Sequence, residues 1–222
     1  MDLFFKTLLA LHIASGFTAL TSGLIPMFSK KGGNIHRRFG MVYFWAMFGV
    51  FCTAIPMSFM HTNFFLFAIG IFSFYQTFTG YRHTKIKNNM IVPIPDKIST
   101  WITFSTSICM IVYSVYLAMH SIWQPASVLT VFGAICLLLT VHDLQRYRRL
   151  KKSMQDKQAW YFGHITRMAG SYIATFTAFA ITNLIFLPSI IAWLAPTVIG
   201  VFLITRSVNY YKNKFRMKTS TA

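Results

Sequence analysis

Along the whole chain, long apolar stretches alternate with short polar connectors. A helix crossing about 30 Å of hydrocarbon takes roughly 20 mostly apolar residues. Seven segments come near that length: residues 3–28, 39–60, 64–81, 98–122, 126–144, 160–187 and 189–208. The pattern predicts an all-α fold, a seven-helix transmembrane bundle forming a single polytopic membrane domain over 1–222. The first stretch is longer than the apolar core of a signal peptide and lacks a convincing small-residue cleavage site, so a retained helix is expected.

Within the spans, the helical period sorts polar from apolar faces. His12, Ser15, Gly16, Ala19, Ser22 and Gly23 share a narrow face of the first span; Ser73, Gln76, Thr77 and Gly80 share one in the third. The fourth predicts a face of Ser99, Thr103, Thr106, Met110 and Tyr113. Small residues on such stripes let helices approach and hydroxyls bond across, so helix contact is their simplest reading. The sixth span is the most polar: His164, Arg167, Ser171, Thr175 and Thr182 form one ridge beside the small residues Gly170, Ala174 and Ala178. That combination predicts a helix at the centre of the bundle, with the first span against it. Arg167 falls past Trp160 by roughly 10 Å along the axis. A charge at such depth is costly and needs protein or water for company.

Composition and charge sharpen the picture. Hydrophobic residues make up 55% of the chain and charged residues 11%, where soluble domains carry about a quarter. The net charge of +17 could indicate nucleic acid, but its distribution excludes that partner. Lys30, Lys31, Arg37 and Arg38 lie between spans one and two, and Arg82, Lys85, Lys87 and Lys97 between three and four. Arg146, Arg148, Arg149, Lys151, Lys152 and Lys157 lie between five and six, and Lys212, Lys214, Arg216 and Lys218 in the tail. The alternate connectors carry none. Positive loops on the inside predict an extracytoplasmic N-terminus, a cytoplasmic C-terminus and contact with anionic lipids at the cytoplasmic face. Cys52, Cys109 and Cys136 stand on three separate spans and read as small packing residues. The connector 82–97, with Asn88, Asn89, Pro93, Pro95 and Asp96, is expected to be an irregular loop.

The chain contains no Glu, and Asp143 is its one acidic residue within a predicted span. Zinc-protease and carboxylate-pair chemistries are thereby excluded, and no catalytic set is recognisable. Opposite Asp143, all predicted near the cytoplasmic side, stand Arg167, Arg206, His142 and His164, the two histidines at similar depth, with His36 and Arg37 approaching from the first basic connector. Three readings compete. Asp143 neutralises one arginine and the histidines bond carbonyls. Alternatively, two arginines against one carboxylate form a site for a small anionic or amphipathic ligand. In the third, imidazoles on facing helices hold a metal or haem b, with His12, His142 and His164 as the candidate ligands. A proton relay through His and Asp is a lesser variant. His61 and His120 fall at the outer interface, and His83, beside Arg82, is expected in solvent.

Some of these residues also form recognisable motifs. Leu11-His12 with Gly16 and Gly23, then His36-Arg37-Arg38-Phe39-Gly40 leading to Tyr43, resemble the opening of a bacterial family of multi-pass membrane proteins, domain of unknown function 2306. His164-Ile165-Thr166-Arg167-Met168, continued by Gly170-Ser171-Tyr172-Ile173-Ala174 and Thr177-Ala178-Phe179, is similar to that family's most distinctive helix. The resemblance covers nearly the whole chain. It implies a polytopic protein of the bacterial cytoplasmic membrane, singles out His12, His36, Arg37, His164 and Arg167, and assigns no reaction. It gives no support to His142. The resulting expectation is a binding or transport protein with His164 and Arg167 at its core, His36 and Arg37 above them and Asp143 as counter-charge. A haem-bearing redox subunit and a scaffold in a membrane complex are the alternatives.

Overall fold

The computed structural model describes residues 3–61, 63–86, 92–148 and 158–220. These residues form α1 (Leu3–Phe28), α2 (Asn34–Met60), α3 (Phe64–Lys85), α4 (Ile94–Met119), α5 (Trp123–Arg148), α6 (Ala159–Asn183) and α7 (Ser189–Ser220). Lys87, Asn88, Asn89, Arg149, Lys151, Lys152 and Lys157, assigned above to basic connectors, lie outside the described residues. Six of the helices are long and apolar enough to cross a membrane. The one that falls short is α6, because its polar ridge lowers its hydropathy. Arg167, Ser171 and Thr177 on that helix are nevertheless buried by protein.

Several helices run past the apolar segments read from sequence. α3 continues to Lys85 and α4 begins at Ile94, so both ends of the presumed 82–97 loop are helical and Asp96 lies in the first turn of α4. Hydropathy reports only the part of a helix inside hydrocarbon, whereas backbone hydrogen bonding continues into the polar zone. Between α1 and α2, Gly32 adopts φ 76°, a left-handed conformation costly for any residue with a Cβ, and Gly33 N–H bonds Lys30 O at 3.0 Å. Asn63 caps α3 by accepting from Leu66 N–H at 3.1 Å.

α1 pairs with α2 and α4 with α5 as hairpins. Between them run α3 and α6, packed on each other; α3 also touches α2, α4 and α5, while α6 touches α1 and α7. Helices α1, α2, α3 and α6 thus close a four-membered ring, in which α2 and α6 stand on opposite corners. The centre expected for α6 alone is shared with α3.

Two apolar clusters flank that central pair. Phe72, Met110, Leu129, Phe132 and Cys136 join α3, α4 and α5, with Trp193 of α7 against them. Ala19, Tyr43, Ala46 and Met47 join α1 and α2, with Met168 and Tyr172 of α6. Large apolar side chains such as Ile13, Phe17, Trp45, Val112, Leu138 and Phe202 point outward, as lipid-facing residues do. Cys136 is buried as expected, whereas Cys52 and Cys109 are exposed on outer faces and take no part in the core.

The buried face of α4 is Asp96, Thr100, Thr103, Ser107, Met110, Ser114 and Leu117. It is rotated from the face read above: Tyr113 is exposed, and Ser99 and Thr106 lie at its edge. Its hydroxyls satisfy themselves, Ser107 donating to Phe104 O and Ser114 to Ile111 O, both at 2.7 Å. Such back-bonding lets hydroxyls sit in an apolar interface without requiring a partner helix.

Candidate functional site

Among the described residues, the charged groups that turn inward gather at one end of the bundle, where α1, α3 and α5 finish and α2, α4 and α6 begin. Asp143 of α5 is its deepest acid, 2% exposed. Its Oδ2 accepts from the Tyr75 hydroxyl at 2.6 Å and from Arg167 Nη2 at 2.7 Å. The same Nη2 donates to Leu139 O at 2.9 Å, and the guanidinium lies 5.4 Å from the Tyr75 ring centre. Arg167 is 3% exposed, and its Nη1 is buried with no hydrogen-bond partner among the described residues. Thr100 extends the network, 3.2 Å from the Tyr75 hydroxyl and 3.0 Å from that of Tyr147. Toward the rim Asp96 pairs with Arg82, Nη2 to Oδ2 at 2.7 Å.

Both described carboxylates at this end are therefore engaged by an arginine, while further cations are not. Arg146 donates to His83 Nδ1 at 2.7 Å. A guanidinium has no proton-accepting form, so this nitrogen of His83 must present its lone pair. Lys31 donates to Pro26 O at 2.8 Å and Met27 O at 2.6 Å, closing the end of α1. Its partial burial pulls its pKa below the ordinary lysine value, because desolvation disfavours the ammonium. No carboxylate pairs with Arg146 or Lys31 among the described residues.

Above Arg167, one helical turn back, His164 donates from Nδ1 to Gly80 O of α3 at 2.9 Å. Across the ring His36, in the first turn of α2, donates from Nδ1 to Pro26 O at 3.2 Å. A carbonyl can only accept, which fixes both tautomers. The two imidazole centres are 6.2 Å apart, with planes inclined at 64°. Close packing of α3 on α6 locks the neighbouring groups: a Cβ at Gly163 would fall 2.5 Å from His83 Cε1.

The structure thus brings together His164, Arg167, Asp143 and His36, and separates other residues assigned to the site. Arg206 is exposed on α7, which turns Ala192, Thr197 and Gly200 toward its neighbours. Arg37 is exposed beside His36. His142 is 74% exposed in its side chain and stands 3.9 Å from Asp143 Oδ1, beyond a hydrogen bond. Adjacent residues on a helix point about 100° apart, and here Asp143 takes the inward side and His142 the outer one. His12 bonds Thr53 Oγ1 at 2.9 Å, on the interface of α1 and α2. The candidate metal set His12, His142 and His164 does not converge, and no three His, Cys, Asp or Glu form a metal-binding group among the described residues.

The polar stripes take structural places beneath the site. Ser171 is within hydrogen-bond distance of the Tyr43 hydroxyl, 2.6 Å, and Thr77, 2.5 Å; Thr175 lies 3.2 Å from Tyr43. Gln76 lies against Gly170, and Ser15 faces Gly49 between α1 and α2. His83, expected in solvent, is 6% exposed. It sits two turns past Gln76 and one past Gly80, on the inward face of α3, because that helix outlasts its apolar stretch. Sequence placed His83 in solvent and Arg146 in a basic connector, and did not single out Tyr75 or Thr100. For Thr100 the helical period offered a signal, since it falls one turn before Thr103; Tyr75, next to Gln76 in sequence, carried none.

Apolar helices facing outward around a paired, buried polar network define a multi-pass helical membrane protein. No protein-family model matches the chain, and neither a curated protein nor a solved structure shows significant similarity to it.

Proposed function

We propose that this protein crosses the bacterial cytoplasmic membrane seven times, N-terminus outside, and binds or transports a small anionic or amphipathic ligand at its basic, cytoplasmic end. Kinship with the domain of unknown function 2306 family is part of that proposal, and rests on the motifs in α1, α2 and α6. The observation that carries the binding reading is Arg167. It is buried, half of its guanidinium is used by Asp143 and Leu139 O, and its other terminal nitrogen has no acceptor among the described residues. An unmade hydrogen bond from a buried guanidinium is costly, and a phosphate or carboxylate oxygen would supply it. Arg146 and Lys31, which lack carboxylate partners among the described residues, add the excess positive charge that sequence reasoning drew from Arg206. Contact with anionic lipid headgroups at the same face belongs to this reading.

The test is thermal unfolding of the detergent-solubilised chain with inorganic phosphate or an acidic phospholipid, against a zwitterionic phospholipid as control. A ligand at 100 times its Kd stabilises the folded form by about 2.7 kcal/mol. Acidic ligands should raise the melting temperature of the wild type, with the rise diminished in Arg146→Gln and abolished in Arg167→Lys, which keeps charge but loses the second donor nitrogen. Equal shifts with the zwitterionic lipid, or none with any acidic ligand, would remove the anion site.

A further inference from the structure

We propose that His36 and His164 are the two axial ligands of a haem held across the diagonal of the ring formed by α1, α2, α3 and α6. This rests on the reading that the basic end receives an anionic, amphipathic ligand, and it assigns that ligand a chemical class.

Geometry comes first. The two histidines belong to opposite corners of the ring, the arrangement by which helix bundles hold cofactors between facing side chains. A metal between two imidazoles takes about 2 Å to each nitrogen, with each ring centre roughly 1 Å behind, so the centres stand roughly 6 Å apart. The observed separation is 6.2 Å. Both Nδ1–H groups are spent on backbone carbonyls, Pro26 O and Gly80 O, which leaves both Nε2 atoms carrying the lone pair that a metal requires. A ligating histidine has this same second bond, which fixes its tautomer and orientation. One turn below His36 on α2, a Cβ built on Gly40 would meet no atom within 4 Å, so α2 is not packed closely there.

Charge then selects among metals. A bare divalent ion would enter a field set by Lys31 and Arg37, with both nearby carboxylates already paired. It would also need further ligands, and no third His, Cys, Asp or Glu joins the pair among the described residues. A haem resolves both difficulties. Its macrocycle supplies four nitrogens, so the protein need give only two ligands, and its two propionates bring negative charge to the basic rim, where Lys31 and Arg37 stand beside His36. The pairing also differs from the one read from sequence: His164 meets His36, whereas His142 faces outward.

Haemin titration of the purified, detergent-solubilised full chain tests this, read by absorption and by electron paramagnetic resonance. One haem per chain with a six-coordinate, low-spin, bis-imidazole signature is expected. His36→Gly and His164→Gly should each convert it to a high-spin form, and added imidazole should restore the low-spin signal, which also shows that the variants are folded. His12→Ala and His142→Ala should leave the signature intact. Absence of a haem spectrum in the wild type, or a low-spin signal that persists in both glycine variants, overturns the assignment. If phosphate or acidic lipid stabilises a protein that ignores haemin, the haem assignment fails and the anion site stands. If neither binds, both fall.

Discussion

At the level of single residues, the strongest constraint is the Asp143–Arg167 pair. Two opposite charges withdrawn from water are held by short hydrogen bonds from the Arg167 guanidinium and the Tyr75 hydroxyl. Breaking such a pair by removing one member costs about 3–5 kcal/mol, because the other is left buried and uncompensated, whereas replacing both with apolar residues is often close to neutral. Asp143→Asn should therefore lower the melting temperature sharply in detergent, and Asp143→Leu combined with Arg167→Met should recover most of the loss. If the two single losses simply added in the double variant, the pair would not be the unit described here. The hydroxyl cluster of Tyr43, Ser171 and Thr77 is weaker. Tyr43→Phe should cost about 0.5–2 kcal/mol, the range for interhelical hydrogen bonds in membranes, and a larger loss would mean that packing of the ring, which Phe retains, had been misjudged.

Helix against helix, the decisive contact is that between α3 and α6. With no water to drive apolar surfaces together, association in lipid depends on close packing and hydrogen bonds, and small residues make the approach possible. Gly163 admits the His83 ring and Gly170 admits the Gln76 amide. His83 is further held by Arg146, so it has little room to give. Gly163→Ala should destabilise by about 1–3 kcal/mol through overpacking. Gly16→Ala, where a Cβ would meet nothing within 4 Å, serves as the comparison and should change the melting temperature little. Similar melting temperatures for the two variants would argue that α3 and α6 are not in close contact at His83. Helix α6 also illustrates why hydropathy alone undervalues a central helix: the polar groups that lower its score are the ones its neighbours bury.

For the molecule as a whole, the question is which way the basic end faces. The turns at 61–63, 120–122 and 184–188 carry neither Lys nor Arg, while the described residues at the other end carry Lys30, Lys31, Arg82, Lys85, Arg146 and Arg148. Such a bias sets orientation during insertion. Alkaline phosphatase fused after residue 63 or 122 should be active, and a fluorescent protein fused after residue 222 should fluoresce. Inactive phosphatase at both turns, together with a dark C-terminal fusion, would invert the topology and place the histidine pair on the outer face.

The chain's order alone was enough to determine the helical class, the number and approximate position of the helices, and the importance of α6, because hydropathy and the 3.6-residue period are local properties. It also marked His164, Arg167, Asp143 and His36, since charged or titratable groups inside apolar segments stand out. Partnership was decided only in three dimensions. Whether Asp143 or His142 faces inward, whether Arg146 or Arg206 supplies the extra charge, and which imidazole His164 meets depend on helix rotation and on which helices share the ring. Those are set by packing between segments as distant as His36 and His164, and no local pattern encodes them.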